Sequence, residues 1–194
     1  VAPDGRVRCH WALPSQAGMV EYHDCEWGVP VCDECTQFEF LVLESAQAGL
    51  SWYTVLRKRE AYRRAFAQFD PGQVARYSPA DVERLLGDPG LIRNRAKIEA
   101  AVNNAQRFLE VQAAYGSFCE FLWGCVDGRS IVNHWREPAE VPATTALSDR
   151  LARELKRLGF RFLGSTVLYA HLQATGLVND HLAGCFRHGE VAAS

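Results

Sequence analysis

Four residues suited to binding a metal sit at opposite ends of this 194-residue chain. Cys9 and His23 lie near the start. His181 and Cys185 close the run G-L-V-N-D-H-L-A-G-C (176–185). Two Cys and two His form a standard structural zinc set. One ion held by all four would clasp the N- and C-terminal segments together across almost the whole sequence. His181 and Cys185 are four apart, so on a helix they would share one face. A metal with four protein ligands has no open position for substrate, so such an ion is a staple and the chemistry belongs elsewhere. The chain also offers a rival pair, Cys32-Asp33-Glu34-Cys35, whose C-x-x-C spacing suits a zinc knuckle or a redox couple. Ligand logic favours the Cys9/His23 set but leaves the rival open, and each Cys or His taken singly reads as an ordinary core residue.

The length suits one domain or two small lobes. Apolar residues make up 48% of the chain, enough for a true core. Seven cysteines, an odd number scattered through the chain, argue against a disulfide framework and for a reducing compartment. With no apolar run of membrane length and no charged-then-apolar leader, the expectation is a soluble, unexported protein with no membrane partner. The net charge of −2 excludes a bulk polycation, so any nucleic acid would have to meet a local basic patch.

The pattern is that of an all-α chain. Thr36 to Glu39 reads as a capping box, opening a helix that stops at Gly49. Ser51 can cap a second helix from Trp52 to Phe66, apolar at Trp52, Val55, Leu56 and Tyr62 and basic elsewhere. Asp70-Pro71 and Ser78-Pro79 each place a cap before a proline at the first helical position. Further helices are predicted over 91–109, 117–125, 148–158 and 164–174. The segment 132–143, with two prolines, reads as a loop. No period-2 pattern supports a strand.

Three constellations outside the metal set bear on chemistry. Glu44 follows four consecutive apolar residues, Phe40 to Leu43, and shares a helix face with Phe40 and Leu41. A carboxylate there is buried or in a cleft and needs a partner, either a structural cation or a ligand. Trp11, Tyr22, Trp27 and Trp52 fall in the same motifs. Singly they are core residues, but together their faces could stack on a base or attract a cation. Third, D-V-E-R-L-L (81–86) and the helix after D-P-G-L-I-R-N-R-A-K-I (88–98) resemble a helix-hairpin-helix. Its turn at Gly90, followed by Arg93, Arg95 and Lys97, suits a phosphate without reading sequence. The clusters 57–59, 63–64 and 156–157 read as solvated basic faces.

Together these residues resemble the bacterial 3-methyladenine DNA glycosylase I family. The matching stretches are R-C-x-W (8–11), E-Y-H-D-C-E-W-G-V-P (21–30), L-E-S-A-Q-A-G-L-S-W (43–52), L-L-G-D-P-G-L-I-R-N-R-A-K-I (85–98), G-F-R-F-L-G-S-T (159–166) and the run at 176–185. They span nearly the whole chain, in order. Y-H-D-x-E-W-G-V-P and Q-A-G-L-S-W are long and specific. The resemblance implies an all-α helix-hairpin-helix glycosylase fold in two lobes. One lobe is drawn from both termini (roughly 1–35 and 145–194), and the other spans roughly 36–144. It implies one structural Zn²⁺ on Cys9, His23, His181 and Cys185, since Cys32 and Cys35 match no family ligand. It also implies a base pocket of Glu44, Tyr22 and Trp52, with Trp11 and Trp27 close by. Met19 stands where relatives often carry an aromatic, and Cys25 where they are usually polar.

The implied enzyme is a monofunctional, monomeric, cytoplasmic glycosylase, at the nucleoid when acting, whose partner is double-stranded DNA containing alkylated adenine. Alkylation at ring position 3 makes adenine cationic, so the base leaves easily and the enzyme has to select and position it. A buried carboxylate can accept from the exocyclic amine while aromatic faces favour the positive ring. Hairpin residues Gly90, Arg93, Arg95 and Lys97 would hold phosphates. The loop Gln47-Ala48-Gly49-Leu50 would fill the gap left by the flipped base, with Leu50 or Gln47 as wedge. No catalytic aspartate is assigned, because Asp127 reads as a turn and Glu110 and Glu120 as helix surface. Two other classes compete. A non-catalytic, zinc-stapled DNA-binding module would have no need of a carboxylate pocket, and a zinc hydrolase would need an open ligand position.

Overall fold

The computed structural model describes residues 4–192, so the outermost residues of the lobe drawn from both termini, 1–3 and 193–194, lie outside it. The described chain is mostly helical. Its helices are α1 (Met19–Cys25), α2 (Glu34–Gln47), α3 (Trp52–Leu56), α4 (Arg59–Ala65), α5 (Pro71–Val74), α6 (Pro79–Gly87), α7 (Arg95–Tyr115), α8 (Phe118–Gly124), α9 (Ala146–Arg157), α10 (Ser165–Ala174) and α11 (Phe186–Ala192). Ser51, Asp70, Ser78, Ser117 and Thr145 each accept a backbone N–H at a helix start, as side-chain oxygens at that position should. Pro71 and Pro79 stand just inside two of these caps. Among the described residues no helix is long and apolar enough to cross a membrane.

The structure corrects several local expectations. Asp33, not Thr36, caps α2, its carboxylate accepting from Thr36 N at 2.7 Å and from the Thr36 hydroxyl at 2.6 Å. Glu39 is thereby free of capping and buried, accepting from Arg59 at 2.5 Å and Arg63 at 3.0 Å. Arg59 also reaches Glu26 at 2.6 Å and is itself buried. That part of the basic stretch is therefore an internal ion-pair cluster rather than a solvated face. The single helix expected after Ser51 breaks at Arg57–Lys58, and the break turns Arg59 inward. Helix α7 starts at Arg95 behind an Asn94 cap, because Leu91 and Ile92 fold into the turn before it. Ile131–Val132 (β1) pairs in parallel with Val178–Asn179 (β2), a two-residue contact too short to show alternation in sequence.

Helix α2 runs through the centre of the fold. Every residue from Gln37 to Ala46 is buried, as an all-round apolar helix requires. It packs on both α7 and α10. Phe38, Phe108, Leu155, Leu168 and Leu172 belong to one continuous core. The two ends of the chain meet by backbone contacts as well as side chains: Val31 N donates to Thr175 O at 3.0 Å, and Phe186 N to Val7 O at 3.0 Å. Gly176 makes this meeting possible. It sits at φ +78°, and a Cβ there would lie 2.4 Å from Pro30 N.

Candidate functional site

The four expected metal-ligating residues converge. Cys9, His23, His181 and Cys185 are all buried, and their ligand atoms lie within 4.8 Å of one another. Cys185 Sγ is 3.4 Å from His23 Nε2 and 3.6 Å from His181 Nδ1, and Cys9 Sγ is 3.6 Å from His181 Nδ1. A tetrahedral ion with Zn–S of about 2.3 Å and Zn–N of about 2.0–2.1 Å separates such atoms by roughly 3.6 Å. The imidazoles are also set in the tautomers a cation needs. His23 Nδ1 faces Asp24 Oδ1 at 2.7 Å, with Asp24 gripped by Arg8 at 2.9 and 2.7 Å. His181 Nε2 faces Trp27 O at 3.0 Å. Each ring thus donates its far N–H outward and turns the other nitrogen to the cluster. Gly28 permits that approach, since a Cβ there would lie 3.1 Å from His181 Nε2. The hydrogen bond to Cys185, together with burial, pushes the Cys9 thiol up, while hydrogen bonds from Cys9, His181 and His23 pull the Cys185 thiol down. His181 and Cys185 do not share a helix face as expected. They lie in a turn ahead of α11, which brings residues four apart together as well as a helix does. Cys32 and Cys35 are exposed, away from the cluster, with Cys32 beside Cys119 instead.

Beside the cluster lies a cavity of about 250 Å³ lined by Trp11, Tyr22, Trp27, Trp52, Glu44 and Gln47, among others. Its volume is under the ~300 Å³ at which pockets for drug-sized ligands begin, which suits one nucleobase. The aromatics form a connected box. Trp11 meets Trp27 edge-on at 5.0 Å, and Tyr22 lies 5.3 Å from Trp52. Met19 closes one wall.

Among the described residues, Glu44 is the one carboxylate lining this cavity. It is 4% exposed, and among the described residues no hydrogen bond or ion pair reaches its side chain. Burial pushes its pKa up to about 8. The nearby Glu39, on the same helix, has two arginines, while Glu44 has none. The Trp52 indole N–H is likewise buried without a partner. Gln173 and Ala170 line the cavity too, and nothing in the residue pattern singled them out. Gln173 Nε2 donates to Asp180 Oδ2 at 2.7 Å, and Asp180 also accepts from Asn133, Trp135 and Tyr169. A buried acceptor holding four donors fixes the Gln173 amide, and with it that wall of the cavity.

At the end of α2, Gly49 takes φ +82° and Leu50 is 41% exposed. Lys97 pins this loop: Nζ donates to Ala46 O at 3.0 Å and Ala48 O at 2.7 Å. Lys97 is therefore occupied capping α2 rather than presented to solvent, and burial lowers its pKa. Arg95 is paired with Glu83 at 2.7 Å, and Arg93 is exposed with no ion pair among the described residues. In the turn 88–94, Gly90 N donates to Asp88 Oδ1 at 2.7 Å. A Cβ at Gly90 would sit 2.7 Å from that of Ala61, so only glycine lets the turn close on α4. Lys97→Met is expected to speed amide exchange at 48–50 and lower stability by about 1–3 kcal/mol, while Arg93→Ala changes neither. Unchanged exchange in Lys97→Met would free Lys97 for a direct phosphate contact.

Comparison with known proteins agrees with this geometry. The chain is 47% identical over 178 residues to DNA-3-methyladenine glycosylase 1 of Escherichia coli (strain K12), covering 92% of this chain and 95% of that one. A crystal structure of 3-methyladenine DNA glycosylase I superposes with a TM-score of 0.89 at 47% identity, over 93% of this chain and 98% of that chain. The Staphylococcus aureus enzyme, described for its structural basis of 3-methyladenine recognition, superposes at 0.85 with 39% identity, over 88% and 90%. The sequence model of methyladenine glycosylases matches residues 11–188, and the chain belongs to that family.

Proposed function

We propose that this protein hydrolyses the N-glycosidic bond of 3-methyladenine in alkylated double-stranded DNA. The observation that carries this reading is Glu44: a buried carboxylate without a partner, in an aromatic box the size of one base. A structural acid would be paired, as Glu39 is. Glu44 instead awaits a donor or a cation from outside the fold, and a methylated adenine supplies both.

The damaged nucleotide flips out of the duplex, which a weakly paired lesion makes cheaper. Leu50, with Gln47, enters the gap from the pinned loop at Gly49. Arg93 and the backbone of the turn at Gly90 hold phosphates, joined by Arg95 once it leaves Glu83; Lys97 acts through the loop it holds. In the cavity Trp11, Tyr22, Trp27 and Trp52 surround the positive ring, and Glu44 accepts from the exocyclic amine. The bond between sugar and base then breaks, its electron pair neutralising the base, and water adds hydroxide to the sugar carbon and releases a proton. Glu44 being the cavity's single carboxylate, the departing base relies on its own charge rather than on a separate acid. Cys9, His23, His181 and Cys185 would hold one Zn²⁺, which staples the terminal segments and takes no part in the chemistry. The working form is a cytoplasmic monomer whose lobes meet along α2 and α10.

Incubation with methylated duplex DNA, followed by chromatography of the supernatant, should detect free 3-methyladenine and leave abasic sites in the DNA. Tight binding of that duplex with no released base would replace this reading with a zinc-stapled, helix-hairpin-helix DNA-binding module.

A further inference from the structure

Away from the base cavity, a second groove of about 520 Å³ lies between α9 and the loop 160–164. Its lining combines apolar surface with three cations, Arg153, Lys156 and Arg161. All three are exposed, and among the described residues none of their side chains has an ion pair or hydrogen bond. Arg157, on the same helix, is by contrast paired with Glu154 at 2.5 Å. Phe162 also lines the groove and is 46% exposed. Its φ is +58°, a left-handed conformation that is a genuine outlier for a bulky residue. The fold holds it there from below. Asn104 on α7 brackets Arg161, donating to its carbonyl at 2.8 Å and accepting from its N–H at 2.8 Å, and Asn103 donates to Gly159 O at 2.9 Å. An apolar ring kept in water, on a backbone kept under strain, in one groove with three unpaired cations, is a surface held ready for a polyanion with apolar edges.

Its place fits DNA. Asn104 and Lys97 are seven residues apart on α7 and share a face, so the loop 160–164 lies about 10 Å along that helix from the loop at Gly49 that Lys97 pins. Along α10, Gly164 is about 14 Å from Gln173 in the wall of the base cavity. Both spans are shorter than one turn of duplex, about 34 Å. We infer that Phe162, with Arg153, Lys156 and Arg161, forms an additional DNA-contact element. The ring packs against deoxyribose in the groove, and the cations sit on phosphates a few base pairs from the flipped nucleotide. This inference rests on the glycosylase reading.

Two variants and two probes test it. Phe162→Gly removes the ring at a position where glycine is at ease, so the fold is kept or stabilised. Lys156→Ala/Arg161→Ala removes two free cations. With a short duplex carrying a stable abasic-site analogue, Phe162→Gly should bind about tenfold more weakly. The double variant should lower the slope of log affinity against log salt by roughly 1 to 2. Free 3-methyladenine should bind both variants as it binds wild type. Duplex affinity and salt slope unchanged in both variants would overturn the inference, as would a change only in oligomeric state, which would make the groove a protein interface. Failure of wild type to bind free 3-methyladenine would instead strike the cavity reading beneath it.

Discussion

Replacing Cys185 with serine should abolish stoichiometric metal binding, whereas Cys32→Ser and Cys35→Ser should leave one ion per chain. Three of the S–N separations in the cluster, 3.4 to 3.6 Å, match the edges that a zinc tetrahedron would have, and the far nitrogen of each imidazole faces an outer acceptor. Serine offers a poor ligand atom, and Cys9, His23 and His181 are left facing one another at a buried site without their cation. Structural zinc contributes on the order of 10 kcal/mol where it drives folding outright. Here backbone bonds such as Val31 to Thr175 also hold the ends together, so the expected loss is smaller, a few kcal/mol. For a chain of this size that lowers the thermal midpoint by roughly 10 °C. Elemental analysis of each purified variant, alongside its melting curve, checks both parts. Metal lost from the Cys32 or Cys35 variants, and kept in Cys185→Ser, would move the site to the exposed pair.

Glu44→Gln should lose activity on methylated duplex by about 10- to 150-fold, the worth of one charge-assisted hydrogen bond of roughly 1.5–3 kcal/mol. The same change should not harm the fold. Glu44 titrates near pH 8 in the folded protein, against 4.5 when unperturbed. A folded pKa raised this way leaves stability intact below about pH 4.5, and stability falls as pH rises to about 8, because the unfolded chain ionises Glu44 and the fold resists it. Removing the group removes the penalty. The variant's stability relative to wild type should therefore grow by roughly 1.4 kcal/mol per pH unit across that window and level off outside it. Lesion affinity runs the other way. A cationic base favours the ionised form, so wild-type affinity should rise with pH up to about 8, with proton release on binding, and the variant should be flat. Denaturant midpoints and duplex affinities measured from pH 5 to 9 on both proteins would show each trend. Parallel stability profiles would mean that Glu44 has a partner inside the fold.

Residues whose role is set by local chemistry were legible in sequence. Ser51, Asp70, Ser78 and Ser117 announced helix starts because capping needs only the next turn. Glu44 announced its burial because four apolar residues in a row leave a helix no wet side. The metal set was legible as ligand types, but only the fold brings Cys9 within 3.6 Å of His181 across the length of the chain. What could not be read depends on long-range partners. Glu39 looked like a capping residue until Arg59 and Arg63 arrived from α4 to bury it. Lys97 looked like a free cation, and its engagement is with carbonyls 49 and 51 residues away. Gln173 reached the cavity through the shape of α10 and the pull of Asp180, neither of which leaves a local mark. Phe162 was part of the family resemblance, yet its exposure and strain belong to the backbone alone.

The proposed function turns on Glu44, a buried carboxylate without a partner inside an aromatic box, selecting the alkylated base. Titration of free 3-methyladenine into wild type and Glu44→Gln, followed by calorimetry or NMR, tests it most directly. Wild type should bind the free base, perturbing Trp52 and Tyr22. The variant, folded and with its metal content intact, should bind about 10- to 150-fold more weakly. Equal affinities in the two proteins would return Glu44 to an incidental buried acid and leave recognition to the aromatics alone, contradicting selection by Glu44.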